Sequence, residues 1–403
     1  MRNLSIIFFD AGGGHRNAAD ALKSTLQSQS NPWAVSLVNL QELLDRIDPV
    51  HRTTGVRIQD LYNLILRRGW TRFTPQLLPV LHRVIRLNHG RVVRVLQKHW
   101  AEHPADLVLS VIPHFNRAIA ESAQKSLPAA AFVTMLTDFA DYPPHFWMED
   151  ESEYLICGTR RAKQQALAMG HSPRRVFETS GMVIKPKFYH RPVVDRATER
   201  KRLGLAPDRP TGIVLFGGHG APAMLDIARK LSESAQDLQL IMICGHNQSL
   251  AAKIKSLPTT KAIFVEGFTT QVEHYMALAD FFIGKPGPGC ISEALQFGLP
   301  AIVESNANTM PQERYNAEWL TENRMGIVLS SFHEIASGVE QLLQPSTFQE
   351  FRDNARAHKN RALFEVPVIL DEVFERHVPQ YLPAVRMGNV DMIGQDAMLA
   401  GLS

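Results

Sequence analysis

The sequence predicts an α/β protein built from two doubly wound domains in tandem. Three observations carry that expectation. The first is a pair of look-alike segments, each an apolar strand, a glycine-rich turn and a helix. The second is a series of short apolar runs separated by helix-length stretches, the βαβ rhythm of a parallel sheet. The third is length: 403 residues exceed what one core comfortably holds.

The first look-alike segment runs from Leu4 to Phe9 as a strand, through Asp10-Ala11-Gly12-Gly13-Gly14-His15, into a helical stretch from Arg16 to Leu22. The second has Thr211 to Phe216 as strand, Gly217-Gly218-His219-Gly220 as turn, and Met224 to Leu231 as helix. Further strands are expected at Val35–Leu40, Leu107–Ile112, Ala130–Met135 and Tyr154–Cys157 in the first half. In the second half they are expected at Gln239–Cys244, Ile263–Glu266, Phe281–Ile283 and Ala301–Val303. The charged, proline-bearing stretch around His190 to Pro210 reads as a linker. The expected division is therefore a first domain at 1–190, a linker at 191–210, a second domain at 211–370, and a C-terminal helix and tail at 371–403.

Composition excludes several classes. The three cysteines, Cys157, Cys244 and Cys290, are far apart, with no CxxC pair, which argues against a disulfide framework or a zinc site. The opening apolar run is too short for a signal h-region, and no apolar stretch reaches the roughly 18 residues of a spanning helix. A cytoplasmic protein is expected, dissolved or peripheral on a membrane. The net charge of +3 is unevenly spread. Between His51 and Trp100, Asp60 is the only acid against Arg52, Arg57, Arg67, Arg68, Arg72, Arg83, Arg86, Arg91, Arg94 and Lys98. Leu61, Leu64, Trp70, Phe73 and Leu87 interleave with these arginines, a pattern suited to an anionic bilayer surface. A pair of ordinary amphipathic helices with solvated arginines is the alternative. No nucleic-acid motif accompanies the charge, so a nucleic-acid partner is not expected.

The strongest local signal is Ile283-Gly284-Lys285-Pro286-Gly287-Pro288-Gly289-Cys290-Ile291-Ser292-Glu293. A short strand enters a Gly/Pro turn and passes directly into a helix. Gly287 and Gly289 let backbone amides approach a ligand, and the helix start suits phosphate. Glu293 is one turn in, better placed for sugar hydroxyls than for phosphate. A P-loop is excluded because Pro286 follows Lys285. Downstream, Gln312, Glu313 and Asn316 put polar groups at the start of the next helix. Two adjacent turns would then aim polar groups at the carboxyl edge of one sheet, where open α/β sheets bind ligands.

In order and spacing, these residues resemble the glycosyltransferases typified by plant and bacterial monogalactosyldiacylglycerol synthases. They are similar too to the enzyme that adds N-acetylglucosamine to lipid I. The resemblance takes in Gly267-Phe268, Asp280, Gly284 to Glu293, Gly298-Leu299-Pro300 and Gln312-Glu313 with Asn316. In the first half it takes in Gly12 to His15 with Ala18-Ala19, Thr137-Asp138, His145, Trp147, Ser180-Gly181 and Pro186. It implies a GT-B fold of two facing Rossmann-like domains, a UDP-sugar donor in the C-terminal one and a lipid acceptor such as diacylglycerol in the other. It also implies inversion at the anomeric carbon. By resemblance, Glu293 holds the ribose, Gly217, Gly218, Gly287 and Gly289 line the diphosphate, Gln312 and Glu313 meet the donor sugar, and Gly267 and Phe268 flank the uracil.

Two further readings concern charge and base. The chain has no Asp-x-Asp, so backbone amides, helix dipole and Lys285 are expected to carry the leaving charge without a metal or cofactor. His15 is the leading candidate base, because a helix N-terminus disfavours the imidazolium. Asp138 is the second candidate, or the partner that holds the imidazole; a simple helix cap is the alternative. Gly13, Gly14, His145 and Trp147 are assigned to the acceptor side, and His219 to the diphosphate with its role open. Competing functions are a UDP-N-acetylglucosamine 2-epimerase and a non-catalytic nucleotide-sugar sensor. The expected place of work is the inner face of the cytoplasmic membrane.

Overall fold

Apolar runs without alternation are what parallel strands, buried on both faces, require. In this computed structural model they pair accordingly. The structure describes residues 2–10, 13–45, 74–149 and 153–377. Among them, the strands of the first half are β1 (Arg2–Phe8), β2 (Trp33–Asn39), β3 (Leu107–Ser110), β4 (Ala131–Met135), β5 (Tyr154–Cys157) and β6 (Val176–Glu178). Those of the second half are β7 (Thr211–Leu215), β8 (Gln239–Ile243), β9 (Ile263–Glu266), β10 (Phe281–Gly284), β11 (Ala301–Glu304) and β12 (Gly326–Leu329). Each set forms one parallel sheet, in the orders β2-β1-β3-β4-β5-β6 and β12-β11-β10-β7-β8-β9. β6 and β12 are edge strands not expected from sequence. β6 is a three-residue strand with one charged member, whereas β12 is the short apolar run Gly326-Ile327-Val328-Leu329.

Strand order reverses between β1 and β3 in the first sheet and between β7 and β10 in the second. Loops leaving such a switch point diverge and open a crevice at the carboxyl edge. The turns singled out from sequence leave β1, β7 and β10, so the topology itself puts them at the two crevices.

Each sheet is covered on both faces. The first packs the helix Gly14–Gln27, through Ala18, Leu22 and Leu26, on one side. On the other lie Val92, Leu96 and Trp100 of the helix Thr74–Glu102 with Ile119. The second sheet is sandwiched between Ile227, Leu231, Val339 and Leu342 on one side and Met276, Ile291, Leu295 and Leu320 on the other.

The expected C-terminal boundary needs correction. The last described helix is Ala362–His377, so a division at 370 falls inside it. Leu363, Val366, Ile369, Leu370 and Val373 of this helix join the core of the first sheet with Leu4 and Ile6. Asp371 accepts from the Trp33 indole at 2.9 Å and pairs with Arg2 at 2.7 Å. The chain therefore returns to its first half, driven by an apolar stripe that packs into the core of the first sheet. The expected linker is also not loose. It holds a helix, Arg196–Arg202, and buried Arg200 donates to the carbonyl of Leu278 at 2.9 Å and to Asp280 at 2.7 Å.

No helix among the described residues is long and apolar enough to cross a membrane. Residues 51–73 of the basic segment, with five of its ten basic side chains, and the tail 378–403 lie outside the described residues.

Candidate active site

The helix Pro288–Gln296 starts directly after β10 with Gly287 as an extended N-cap and Pro288 in the first turn. No side chain caps it. The first-turn amides of Gly289 and Cys290 are thus left for a ligand. A side chain added at Gly289 would meet nothing within 4 Å, so the approach to these amides is open. Gly287 is closer to its neighbours: a Cβ there would lie 3.2 Å from Lys285 Cε and 3.6 Å from Glu313 Oε1. Lys285 and Glu313 pair across the turn at 3.0 Å.

The second glycine turn leaves β7. Gly217 takes a left-handed φ of 76°. Gly218 accepts from the His246 backbone at 2.9 Å. Gly245, at φ 58°, lies so close that a Cβ would stand 2.2 Å from the Gly218 carbonyl oxygen. Gly245→Ala is therefore expected to displace the Gly217–Gly218 turn and to lower stability by about 1–3 kcal/mol, measured by a thermal melt. Exposed His219 faces His246 at 5.8 Å between ring centroids, and His246 stacks on Phe268 at 4.0 Å and 15°. Phe268 is 58% exposed, and Gly267 precedes it, giving a free aromatic face beside the turn. Nothing in the sequence marks His246. It follows β8 without a surrounding motif, and only the close approach of Gly245 to Gly218 reveals it.

Glu293, one turn into the helix, is half-buried and has no hydrogen-bond partner among the described residues. Burial raises its carboxyl to about 7, against the opposing charges of Lys187 and Lys185. A half-buried carboxylate with no protein donor is free to accept from ligand hydroxyls. Gln312 is half-buried at the start of the helix Pro311–Glu322 and touches Met310 Sδ at 3.7 Å.

Asn316 differs from expectation. It is fully buried, with both ends of its amide committed to protein. Its oxygen accepts from the Phe139 backbone at 3.2 Å and its nitrogen donates to the Pro286 carbonyl at 2.9 Å. It braces the β10 turn against the loop after β4, and its amide is closed off from solvent. Asn316→Ala should lower stability by about 2–4 kcal/mol, since two buried backbone groups lose their partner. A thermal melt checks this.

That loop carries the first-half site. Asp138 is 7% exposed and accepts from the Trp147 indole at 3.0 Å. Burial is the main reason its carboxyl is raised to about 7; the Trp147 bond and the Lys285 charge oppose the shift, and Glu313 reinforces it. Residues from both sheets therefore act on one carboxyl. Trp147 is fully buried, and its ring lies 5.9 Å from His15. It positions both groups. Exposed His145, at φ 63°, and Trp147 each give their backbone N–H to Asp141, at 2.9 and 2.7 Å. Buried Asp141 shapes this loop, although no local motif marks it in the sequence.

Gly13 takes φ 83° at the helix N-cap, and Gly14 opens the helix. This sets half-buried His15 with Nδ1 3.1 Å from the Thr137 hydroxyl. Burial lowers the His15 imidazole to about 4, against a backbone hydrogen bond with Val111. His114, after β3, is also held neutral, at about 3, by burial and then by His82 and His15. Its Nδ1 lies 3.0 Å from His82 Nε2. The only sequence signal for it is the strand-then-His pattern at Ser110 to His114, obscured by Pro113.

Residues 212–373 match the glycosyltransferase family 28 C-terminal domain. The chain is 27% identical to the chloroplastic monogalactosyldiacylglycerol synthase of Spinacia oleracea, over 94% of this chain and 73% of that protein. It is 25% identical to monogalactosyldiacylglycerol synthase 2 of Arabidopsis thaliana, over 94% of this chain and 82% of that protein. Among solved structures, MurG of Acinetobacter baumannii superposes with a TM-score of 0.61 at 14% identity, covering 92% of this chain and all (100%) of that one. Anabaena Alr3699/HepE in complex with UDP gives 0.53 at 14% identity, covering 93% and 100%. By its fold, its C-terminal domain and relatives that match nearly all of it, the chain is a GT-B glycosyltransferase like the monogalactosyldiacylglycerol synthases.

Proposed function

We propose that the chain transfers a hexose from a UDP-sugar to a lipid acceptor such as diacylglycerol, with inversion and without a bound metal ion. One observation carries this reading: the buried Asp138 carboxyl, held near neutrality, feels Lys285 and Glu313 of the donor turn. A base and a leaving-group site on opposite sheets are what an inverting displacement needs. The names of the relatives support the lipid acceptor, and the UDP complex of the Anabaena protein supports the donor.

In this mechanism the acceptor hydroxyl oxygen attacks the anomeric carbon. Its proton passes to the Asp138 carboxylate, and the bond from that carbon to the β-phosphate oxygen breaks. The charge on departing UDP is met by the amides of Gly289 and Cys290, by Lys285, and by the Gly217–Gly218 turn, with His219 beside it. Glu293 accepts from the ribose hydroxyls. Gln312 and Glu313 orient the sugar, and Gly267 and Phe268 cover the base. A neutral His15, with Gly13 and Gly14, orients the acceptor hydroxyl; a residue at about 4 is a weak proton acceptor. The electrostatics thus favour Asp138 over His15 as base.

The membrane contact belongs to the same reading. On the helix Thr74–Glu102, Arg83, Arg86, Arg91 and Arg94 are exposed together with Val84 at 44% and Leu87 at 77%. Exposed leucine among arginines suits a peripheral contact with anionic lipid. The function is tested by UDP release over a panel of UDP-sugars, with and without diacylglycerol vesicles, in excess EDTA. Release that requires the vesicles supports the proposal. Formation of UDP-N-acetylmannosamine without any acceptor would replace it with the isomerase.

A further inference from the structure

A pocket of about 220 Å³ opens beside Phe297 and Gly298, at the far end of the helix Pro288–Gln296 from its phosphate-facing start. At about 1.5 Å per residue, the 9 residues of this helix put roughly 13 Å between the two places. Four arginines line the pocket: Arg191, Arg196, Arg352 and Arg356.

Arginines gathered this closely ordinarily carry carboxylate partners. Here most do not. Arg196 shares Asp280 with Arg200, and its Nη2 also donates to the carbonyls of Leu278 and Ala279. Its Nε is buried without a partner among the described residues. Arg191, Arg352 and Arg356 have no ion pair and no hydrogen bond among the described residues. Instead, Arg191 lies over the Phe297 ring at 5.7 Å and Arg352 over the Phe348 ring at 5.7 Å. Gly298, at φ 68°, lets two of them converge. A Cβ there would stand 2.7 Å from Arg356 Cγ and 3.7 Å from Arg191 Nη2. Burial first, then the Arg356 and Arg196 charges, holds the Arg352 guanidinium below its ordinary value. The cluster is therefore under like-charge repulsion that no neighbouring acid relieves in full. Helix ends explain part of the placement, because basic side chains favour a helix C-terminus. They do not explain three guanidinium forks with unused donors around one cavity.

We propose that this pocket is a second anion site, taking a phosphate group separate from the donor diphosphate. Several planar forks around one concavity match a tetrahedral anion of more than one charge better than a single carboxylate. The apolar floor of Met276, Phe297 and Leu299 suits a phosphate that carries an organic substituent. The phosphate belongs either to a free phosphomonoester or to a lipid headgroup.

The test uses the full chain saturated with UDP, so that the donor turn is filled. Glycerol 3-phosphate is titrated by calorimetry, and flotation is measured with phosphatidylcholine vesicles with and without phosphatidic acid. The expected result is binding in the presence of UDP that falls about tenfold or more in Arg352→Gln/Arg356→Gln, since charge-assisted bonds are lost. Unchanged UDP affinity in that variant reports an intact fold, and Arg356→Gln alone, at an exposed position, gives a milder second variant. Lys285→Ala should leave this binding untouched, which separates the pocket from the donor turn. Binding of the soluble probe assigns a free phosphomonoester; binding only of phosphatidic acid vesicles assigns a headgroup. Absence of both, or binding undiminished by the double substitution, overturns the proposal.

Discussion

Asp138→Asn should reduce turnover by about 10³-fold while UDP affinity stays within about twofold of the wild type. Asn keeps the volume and can still accept from the Trp147 indole, so the loop geometry survives. What it loses is the ability to take a proton. The wild type should show activity rising with pH through about 7, where the Asp138 carboxyl ionises. His15, at about 4, is already neutral throughout that range and adds no limb near neutrality. The same substitution has a second consequence of opposite sign. A carboxyl whose pKa is raised on folding binds its proton more tightly in the folded state. It therefore favours folding least once pH has risen through about 7. At a pH of about 8 the neutral Asn avoids that ionisation cost, and Asp138→Asn should be more stable by about 2–4 kcal/mol. A less active but more stable protein is the expected signature of a buried base. If His15→Ala abolishes the pH limb and Asp138→Asn retains it, the two assignments are exchanged.

The elements legible in the sequence are those with continuous apolar character. β5 and β9 fall at their expected bounds, and the other expected strands differ by a residue or two at their ends. The turns are legible because glycine and proline mark them: the Gly217 and Gly287 turns both stand at the switch point of the second sheet. What stays hidden are relations across sequence distance. Asn316 reads as one more polar residue of a ligand-facing motif, and only its bonds to Phe139 and Pro286 show that it is a brace. The helix Ala362–His377 reads as a C-terminal appendage, because its apolar stripe does not say which sheet it covers. The raised carboxyl of Asp138 depends on burial and on charges from the other half of the chain, neither of which is written locally.

Lys285→Ala should lower kcat/KM by about 10²–10³-fold, the loss typical when one preorganised stabiliser of developing charge is removed. The reason lies in what surrounds the turn. Helix amides supply partial charges, whereas Lys285 is the cation that the fold sets against Gly287. A Cβ on that glycine would stand 3.2 Å from Lys285 Cε and 3.7 Å from its Nζ. Lys285 is tied to Glu313 at 3.0 Å, which fixes where the ammonium sits before a ligand arrives. That tie allows a rival account, in which Lys285 matters only because it holds Glu313 in place. A double-substitution cycle separates the two. If Lys285 serves Glu313 alone, Lys285→Ala, Glu313→Gln and the double variant should lose activity to the same extent. If Lys285 meets the leaving diphosphate, the double variant should be weaker than either single one. Lys285→Ala should then depress kcat more than it raises KM for the sugar nucleotide, because the added charge develops only as the glycosidic bond breaks. Activity that survives Lys285→Ala but disappears with EDTA would instead place a divalent ion in that role, and the metal-free mechanism would have to be abandoned.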